Sequence, residues 1–178
     1  MLWYLISQFR VIPVRRLMKI GVLIGFAILL GGCMAEPQEF GIIGQTLEND
    51  MPVIYRLVDE LPDQATRSAL PLLTVISWRY DGSANNGMPA QSTNEAMIRL
   101  EDAIEGSILK TGLARHAYSR TGNGLKELAY YIADRDEFMA AFNNSLTDHP
   151  RYPIEINFYD DAEWEDFRKL LEAFRSGE

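Results

Sequence analysis

Cysteine, histidine and long apolar segments are scarce in this chain. Cys33 is the single cysteine, so no disulfide can form within the chain. One cysteine and two histidines are too few for a zinc site built from those residues, whereas a metal held by carboxylates stays open. The composition, with 47% hydrophobic and 24% charged residues, is typical of one globular domain and excludes a long disordered, collagenous or coiled-coil protein.

Basic residues are also scarce, and four of them lie near the N-terminus. The first 33 residues contain four lysines and arginines and no acidic residue. The rest of the chain has 13 basic and 25 acidic residues, a net charge of −12. Nucleic acids and anionic lipid surfaces attract clustered lysine and arginine, so this balance argues against binding to either of them.

The N-terminal segment has the pattern of a bacterial lipoprotein signal. A basic region precedes an uncharged run over 20–35, which has 16 residues and is shorter than the roughly 20 that a membrane-spanning helix needs. The run leads into Leu30-Gly31-Gly32-Cys33, which resembles a lipobox. The pattern predicts cleavage before Cys33 and acylation of its thiol. The alternatives are a buried core cysteine in an uncleaved helix and, for translation, a start at Met18 instead of Met1.

The predicted anchor fixes the expected organisation and location of the protein. We expect a signal over 1–33, a short tether over 34–38 and a single domain over 39–178. Acyl chains bury their CH₂ groups in the bilayer and hold the domain at the membrane without spanning it. Met34 stands where an aspartate would resemble an inner-membrane retention signal, so the periplasmic face of the outer membrane is the expected location.

Hydrophobic periodicity from residue 72 onward predicts a ferredoxin-like domain of the α+β class. The patterns follow the order strand, helix, strand, strand, helix, strand, helix, and the first six form the split βαβ arrangement with two helices on one sheet face. Two earlier strands, over 40–45 and 51–57, predict an added hairpin, and one helical turn is expected from Asp63. The predicted elements from residue 72 cover 72–78, 92–110, 113–120, 125–133, 134–149, 154–159 and 160–174.

Turn and cap signals punctuate these elements. Three pairs with capping spacing predict helix starts, and they are Ser92 with Glu95, Asp134 with Glu137, and Asp160 with Glu163. The segment Thr121-Gly122-Asn123-Gly124 favours a tight hairpin, because glycine and asparagine tolerate positive φ. A phosphate-binding loop is the weaker interpretation, since no helix follows the segment directly.

Several short motifs together resemble the domain of unknown function 695 family. They are Trp78 with Tyr80, Asn86-Gly87-Met88-Pro89, Leu100-Glu101-Asp102, Thr121-Gly122-Asn123-Gly124, Tyr130-Tyr131, Tyr152-Pro153-Ile154-Glu155-Ile156, and Asp161 with Trp164. That family is similar in its ferredoxin-like fold to the regulator of ribonuclease activity B family, whose members act by binding a protein. The family has no established reaction or catalytic residues that the resemblance could transfer to this chain, and a lipoprotein outside the cytoplasm could not meet a cytoplasmic ribonuclease.

Aromatic side chains and one loop form the predicted binding surface. Neighbours on a strand face opposite sides, so one of Tyr130 and Tyr131 is expected on the sheet face away from the two helices, with Trp78, Tyr80 and Trp164 in the same aromatic set. The alternative is that the C-terminal helix covers that face. The loop Asn86-Gly87-Met88-Pro89 is a second candidate, with a simple turn as its alternative.

The remaining polar candidates favour structural interpretations. The acidic cluster over 160–166 could ligate a hard cation, but carboxylates in a first helical turn more often cap the helix. His116 could act as a general base, yet no nucleophile motif accompanies it, and His149 lies in a loop.

Two hypotheses from different functional classes follow from the sequence. The first is a non-catalytic interaction module that is tethered to the membrane and binds a protein of the cell envelope, with no cofactor, no metal and no nucleic acid. The second is a hydrolase that uses a carboxylate-bound metal or His116.

Overall fold

The computed structural model describes residues 41–177. The predicted lipoprotein signal, Cys33 and the tether over 34–38 lie outside these residues. The described chain forms six strands and four helices, in the order β1 Ile42–Glu48, β2 Met51–Leu57, α1 Gln64–Ala69, β3 Leu72–Arg79, α2 Gln91–Ile104, β4 Ala114–Gly122, β5 Leu125–Ile132, α3 Arg135–Ser145, β6 Ile154–Asp160 and α4 Glu165–Ser176. A 3₁₀ turn at Ser83–Asn85 precedes α2, and a π-helical turn at Glu105–Leu109 continues it.

The six strands form one antiparallel sheet in the order β1-β2-β4-β5-β3-β6. Within this sheet, the four neighbouring strands β4, β5, β3 and β6 have the ferredoxin-like order. Helices α2 and α3 follow β3 and β5 in the chain, as that arrangement requires. The predicted α+β fold is therefore confirmed. The hairpin of β1 and β2 extends the sheet beside β4. Its turn is Asn49-Asp50, both at positive φ, so Leu47 and Glu48 belong to β1 and not to the turn.

Each face of the sheet has its own apolar core. Side chains of α2 and α3 pack on one face, among them Met97, Leu100, Ile104 and Phe138. On the other face α4 contributes Phe167 and Leu171, which pack with Leu57, Ala117, Ala129 and Tyr131. The C-terminal helix thus covers the sheet face that α2 and α3 leave open, which was the alternative to an open aromatic surface. Burial on both faces explains the apolar run over most of β5.

Cap positions agree with the sequence in part. The Asp134 carboxylate accepts a hydrogen bond from the Glu137 backbone N–H at 2.8 Å, as predicted. Ser92 does not cap α2, because the helix begins at Gln91 behind Ala90, which has no side-chain hydrogen bond. Asp160 does not cap α4 either. Asp161 does so, with its two carboxylate oxygens 2.7 and 3.1 Å from the backbone nitrogens of Glu165 and Asp166.

Candidate functional site

The predicted aromatic surface is divided between the two cores. Tyr130 and Trp78 are buried under α2 and α3, whereas Tyr131 and Trp164 are buried under α4. The rings of Tyr131 and Trp164 stack with centroids 3.7 Å apart and planes 8° apart. The Trp164 indole N–H donates to the Leu70 carbonyl at 3.0 Å. These four side chains hold the fold together and are not available on the surface to a partner.

The loop Asn86-Gly87-Met88-Pro89 packs its backbone against two other segments. The Gly87 N–H donates to the Gly82 carbonyl at 2.9 Å, and the Gly87 carbonyl accepts from the Gly124 N–H at 3.0 Å. The half-buried Tyr80 hydroxyl also donates to the Gly87 carbonyl, at 3.0 Å. A Cβ on Gly87 would lie 2.9 Å from the Asn123 nitrogen, so the residue has to be glycine. The loop is a tightly packed joint, in which Asn86 is exposed while Met88 and Pro89 are half-buried.

The segment against which Gly87 packs is the predicted hairpin turn. Asn123 and Gly124 have φ values of 50° and 70°, which fits a two-residue turn of the type that hairpins favour. The turn connects β4 to β5 directly, without a helix between them. The hairpin interpretation of Thr121-Gly122-Asn123-Gly124 is confirmed.

A polar cluster lies between α2 and the sheet where sequence analysis expected apolar packing. The carboxylate of Glu101 forms ion pairs with Arg56 of β2, at 2.7 Å, and with Lys126 of β5. The Arg56 guanidinium also donates to the Ser119 hydroxyl at 3.1 Å. His116 is buried beside these charges, with its ring 5.0 Å from that of Tyr130. We call Arg56, Glu101, His116, Ser119 and Lys126 the polar cluster.

The backbone is irregular on both sides of the polar cluster. A β-bulge separates His116 from Tyr118 in β4, and the helix widens into its π-helical turn directly after Ile104. Such irregularities change the direction of nearby side chains and occur often at functional sites. Here the bulge follows His116 on the sheet side of the polar cluster, and the π-helical turn follows the part of α2 that carries Glu101.

Burial and charge set the protonation states of the polar cluster. Burial lowers the pKa of His116 to about 3, although the charge of Glu101 opposes this shift. Burial also raises the pKa of Glu101, but the charges of Lys126 and Arg56 outweigh it and keep that pKa below its ordinary value. At neutral pH the imidazole is therefore neutral and the carboxylate is ionised.

Three members of the polar cluster are almost inaccessible to solvent, whereas the Arg56 side chain is 35% exposed. His116 is 5% exposed, and Glu101 and Lys126 are 8% and 6% exposed. A cavity of about 10 Å³ borders Lys126 and is lined otherwise by Ile76, Trp78, Met97, Leu100 and Leu128. This volume is at the lower limit for one water molecule. His116 is therefore not accessible to a substrate in this structure.

The acidic cluster over 160–166 is used for local structure. Asp161 caps α4 and accepts a hydrogen bond from the Tyr131 hydroxyl at 2.6 Å. Glu165 pairs with Arg168 at 2.5 Å and with Lys169 at 3.2 Å. The chain's second histidine, His149, also forms a local contact, in which its Nδ1 lies 2.8 Å from the Tyr152 hydroxyl. In residues 41–177, no group of three or more His, Cys, Asp and Glu side chains is placed to hold a metal ion.

The hairpin extension presents the two most exposed large apolar side chains of the described residues, ahead of Tyr159 at 52% and Ile98 at 45%. Ile43 and Leu47 are 74% and 68% exposed. Ile43 pairs with Arg56, which contacts α2, so Ile43, Gln45 and Leu47 lie on the α2 side of the sheet. On the opposite side Phe174 of α4 covers β1, where Gly44 leaves room for its ring. We call Ile43, Gln45 and Leu47 the β1 face.

Sequence analysis missed both the polar cluster and the β1 face. A signal for the polar cluster is present, because Lys126 alternates in phase with Leu128, Tyr130 and Ile132 of the core, and Glu101 lies within the apolar stripe of α2. No comparable signal marks the β1 face. Its residues alternate like those of any strand with one buried side, and only the sheet order shows that no described helix lies over them.

Comparisons with known proteins identify the family of the chain. Residues 45–171 match the model of a family of unknown function, DUF695, which confirms the resemblance seen in the motifs. No curated protein matches the chain, and no solved structure matches it. Within 41–177, none of the helices is both long enough and apolar enough to span a membrane. Because the match covers most of the chain and both halves of the sheet, the protein belongs to the DUF695 family.

Proposed function

We propose that this protein is a non-catalytic interaction module, anchored through an acylated Cys33 to the periplasmic face of the outer membrane, that binds another protein of the cell envelope. The observation that carries the proposal is the β1 face. Large apolar side chains on a regular strand, exposed to 74% and 68%, mark a surface that a partner can bury. The lipobox motif over residues 30–33 supports the location.

The charge of the molecule favours a protein partner. With a net charge of −12 after residue 33, the domain is repelled by nucleic acids and by anionic lipid headgroups. An apolar strand face on a domain of net negative charge is complementary to a protein surface with an apolar centre and an overall positive charge. The partner is therefore expected to be a protein of that character.

The polar cluster supports a structural role more than a catalytic one. Its charges connect α2, β2 and β5, and so hold the added hairpin against the ferredoxin-like part of the sheet. The buried position of His116 removes the main support for the hydrolase alternative, because a general base has to reach a proton of the substrate. We therefore do not propose the hydrolase.

Affinity capture from chemically cross-linked envelopes tests the proposed function. The unaltered full chain is compared with a Leu47→Ser variant of the β1 face and with Tyr159→Ser, which removes a side chain that is 52% exposed on β6. A Cys33→Ala variant reports whether capture requires the anchor. We expect one envelope protein to be enriched with the unaltered chain and with Tyr159→Ser, and to be lost with Leu47→Ser and Cys33→Ala.

Either of two results would overturn the proposal. One is that a correctly folded and localised chain enriches no protein over an unrelated lipoprotein. The other is that Leu47→Ser and Tyr159→Ser enrich the same protein equally well, since binding would then not involve the β1 face. Folding of each variant is checked by circular dichroism before capture.

A further inference from the structure

We infer that β1 is a self-association edge, along which the β1 strands of two copies of this chain pair antiparallel and join two six-stranded sheets into one. The inference builds on the proposed function, because the same strand provides the β1 face. It names a second copy of the chain as the occupant of the β1 edge. The face and the edge are different surfaces, since the first consists of side chains and the second of backbone N–H and carbonyl groups.

The two edges of the sheet differ in how they resist pairing. Natural edge strands avoid association through charges, prolines, bulges or cover. At the β6 edge, Glu155 and Asp160 supply charges, and the Arg135 guanidinium lies 4.8 Å from the centre of the Phe158 ring. The β1 strand, with the sequence Ile-Ile-Gly-Gln-Thr-Leu-Glu, contains no proline and only the terminal Glu48 as a charge. All seven residues pair with β2 without a bulge, so the free edge is straight and regular.

The single charge of β1 is already neutralised within its own chain. The Glu48 carboxylate is 2.6 Å from Arg120 and accepts a hydrogen bond from the Tyr55 hydroxyl at 3.2 Å. Antiparallel pairing with full overlap places Glu48 opposite Ile42 of the second copy. The two Glu48 residues then lie at opposite ends of the paired strands, about 20 Å apart at roughly 3.4 Å per residue. Like charges therefore do not face each other across the pair.

The same register matches the apolar residues. When 42–48 overlaps fully with itself, Ile43 stands opposite Leu47 and Gln45 stands opposite Gln45. Cross-strand neighbours on one face are the contacts that stabilise antiparallel pairs. The two most exposed large apolar side chains of each described domain therefore meet their counterparts in the second copy. A shift by one residue in either direction would lose this match.

Self-pairing would also enlarge the surface that the proposed function requires. The two-fold axis of such a pair is perpendicular to the sheet, so both β1 faces lie on the same side. Two copies of Ile43 and Leu47 then form one continuous apolar stripe for the envelope partner. The predicted tether over 34–38 and residues 39–41 together link Cys33 to β1 and reach up to about 27 Å, which permits both anchors to enter one membrane.

Position-specific cross-linking of the full chain tests the pairing. Gln45→Cys and Ile43→Cys are each treated with a short thiol cross-linker, and the unaltered chain measures the background from Cys33. We expect Gln45→Cys to form covalent dimers, because residue 45 faces itself. Ile43→Cys alone should stay at background, since its two copies lie about 14 Å apart along the strands. Mixing Ile43→Cys with Leu47→Cys should restore cross-linking.

Equal cross-linking of Gln45→Cys and Ile43→Cys, or none at either position, would overturn the inference. A second measurement does not depend on cysteine geometry. Gln45→Lys places two like charges on the two-fold axis and should weaken dimerisation at least tenfold in sedimentation experiments, whereas Asn157→Lys on β6 should leave it unchanged. Equal dimerisation of both variants would also contradict the pairing.

The outcomes separate this inference from the proposed function. A monomeric chain that captures an envelope protein through Leu47 keeps the function and overturns the pairing. A dimer that cross-links at residue 45 but captures no other protein supports the pairing and overturns the function. A covalent adduct at residue 45 with a different protein and no dimer supports the function and overturns the pairing.

Discussion

Asp161 shows how one side chain can connect a helix to the sheet. Its carboxylate caps α4 by accepting hydrogen bonds from the backbone N–H groups of Glu165 and Asp166. It also accepts a hydrogen bond from the Tyr131 hydroxyl at 2.6 Å. The ring of Tyr131 in turn stacks on Trp164, at the start of α4. Asp161 therefore connects the start of α4 to the sheet, beside the apolar contacts of Phe167 and Leu171.

Removal of this carboxylate should destabilise the domain. We expect Asp161→Ala to lower the free energy of unfolding by about 2–4 kcal/mol, from the lost cap and the unsatisfied Tyr131 hydroxyl. The neighbouring residue Asp160, which the sequence pattern predicted as the cap, is exposed and serves as the control. Asp160→Ala should change stability by less than about 0.5 kcal/mol. Urea denaturation measures both, and equal losses would contradict the role given to Asp161.

His116 should make the stability of the domain depend on pH. Burial lowers the pKa of His116 to about 3, while an unfolded histidine titrates near 6.5. The unfolded chain therefore binds the proton more readily, and stability is lost as pH falls from 6.5 toward 3. Between pH 7 and pH 5 this one group should contribute a loss of about 2 kcal/mol.

A His116→Gln variant tests the assignment, because glutamine keeps hydrogen-bonding capacity but does not titrate. We expect its unfolding free energy to fall by about 2 kcal/mol less between pH 7 and pH 5 than that of the unaltered chain. Glu101 is present in both proteins, so its own titration cancels in the comparison. An identical pH dependence of the two proteins would show that His116 is not buried in the neutral form.

Two glycines, one in a strand and one in a helix, differ in how much space surrounds them. Gly122 at the end of β4 has a φ of 148°, and a Cβ there would lie 2.2 Å from the Pro52 carbonyl oxygen in β2. The added hairpin can pair with β4 only because this side chain is missing. In the π-helical turn after α2, a Cβ added to Gly106 would have no neighbouring atom within 4 Å.

These two glycines form a matched pair of substitutions. Gly122→Ala should cost at least about 2 kcal/mol of stability, because β2 and β4 have to separate locally. Gly106→Ala should be neutral or should stabilise by up to about 1 kcal/mol, because glycine is a poor helix former. Thermal unfolding of both variants checks this difference, and comparable losses would contradict the close contact between β2 and β4.

Local chemistry explains which elements could be predicted from the sequence. The turn at Asn123-Gly124 and the Asp134 cap depend only on neighbouring residues, and both were predicted. The cap of α2 was not predicted. The loop before it is closed by the hydrogen bond between Gly87 and Gly82, and Ala90 then precedes the helix in an extended conformation. The start of α4 likewise depends on burial of Trp164 and on the bond from the Asp161 N–H to the Pro71 carbonyl. Such long-range contacts leave no pattern in the sequence.

The molecule as a whole combines strong negative charge with one uncovered apolar strand. Composition predicted the charge, and hydrophobic periodicity predicted the ferredoxin-like sheet with its additions. The candidate surface itself could not be predicted from the sequence. Exposure of Ile43 and Leu47 follows from the place of β1 at the edge of six strands and from α4 covering the other side.

Net charge should control association between two copies. Each domain carries a net charge of −12 after residue 33, so two copies repel each other at low ionic strength. Raising the salt concentration from about 0.01 M to 1 M shortens the Debye length from about 30 Å to about 3 Å and should tighten dimerisation several-fold. Sedimentation at both salt concentrations measures this. Weaker dimerisation at high salt would indicate an interface held by ion pairs and would contradict pairing through β1.

Photo-cross-linking in intact envelopes tests the role of the β1 face most directly. A photoreactive residue is placed at position 47 of the full chain, and at position 159 of β6 as the control. We expect position 47 to form an adduct with one envelope protein and position 159 to form none. No adduct at position 47, or the same adduct with equal yield at both positions, would contradict the proposal that the protein binds its partner through the β1 face.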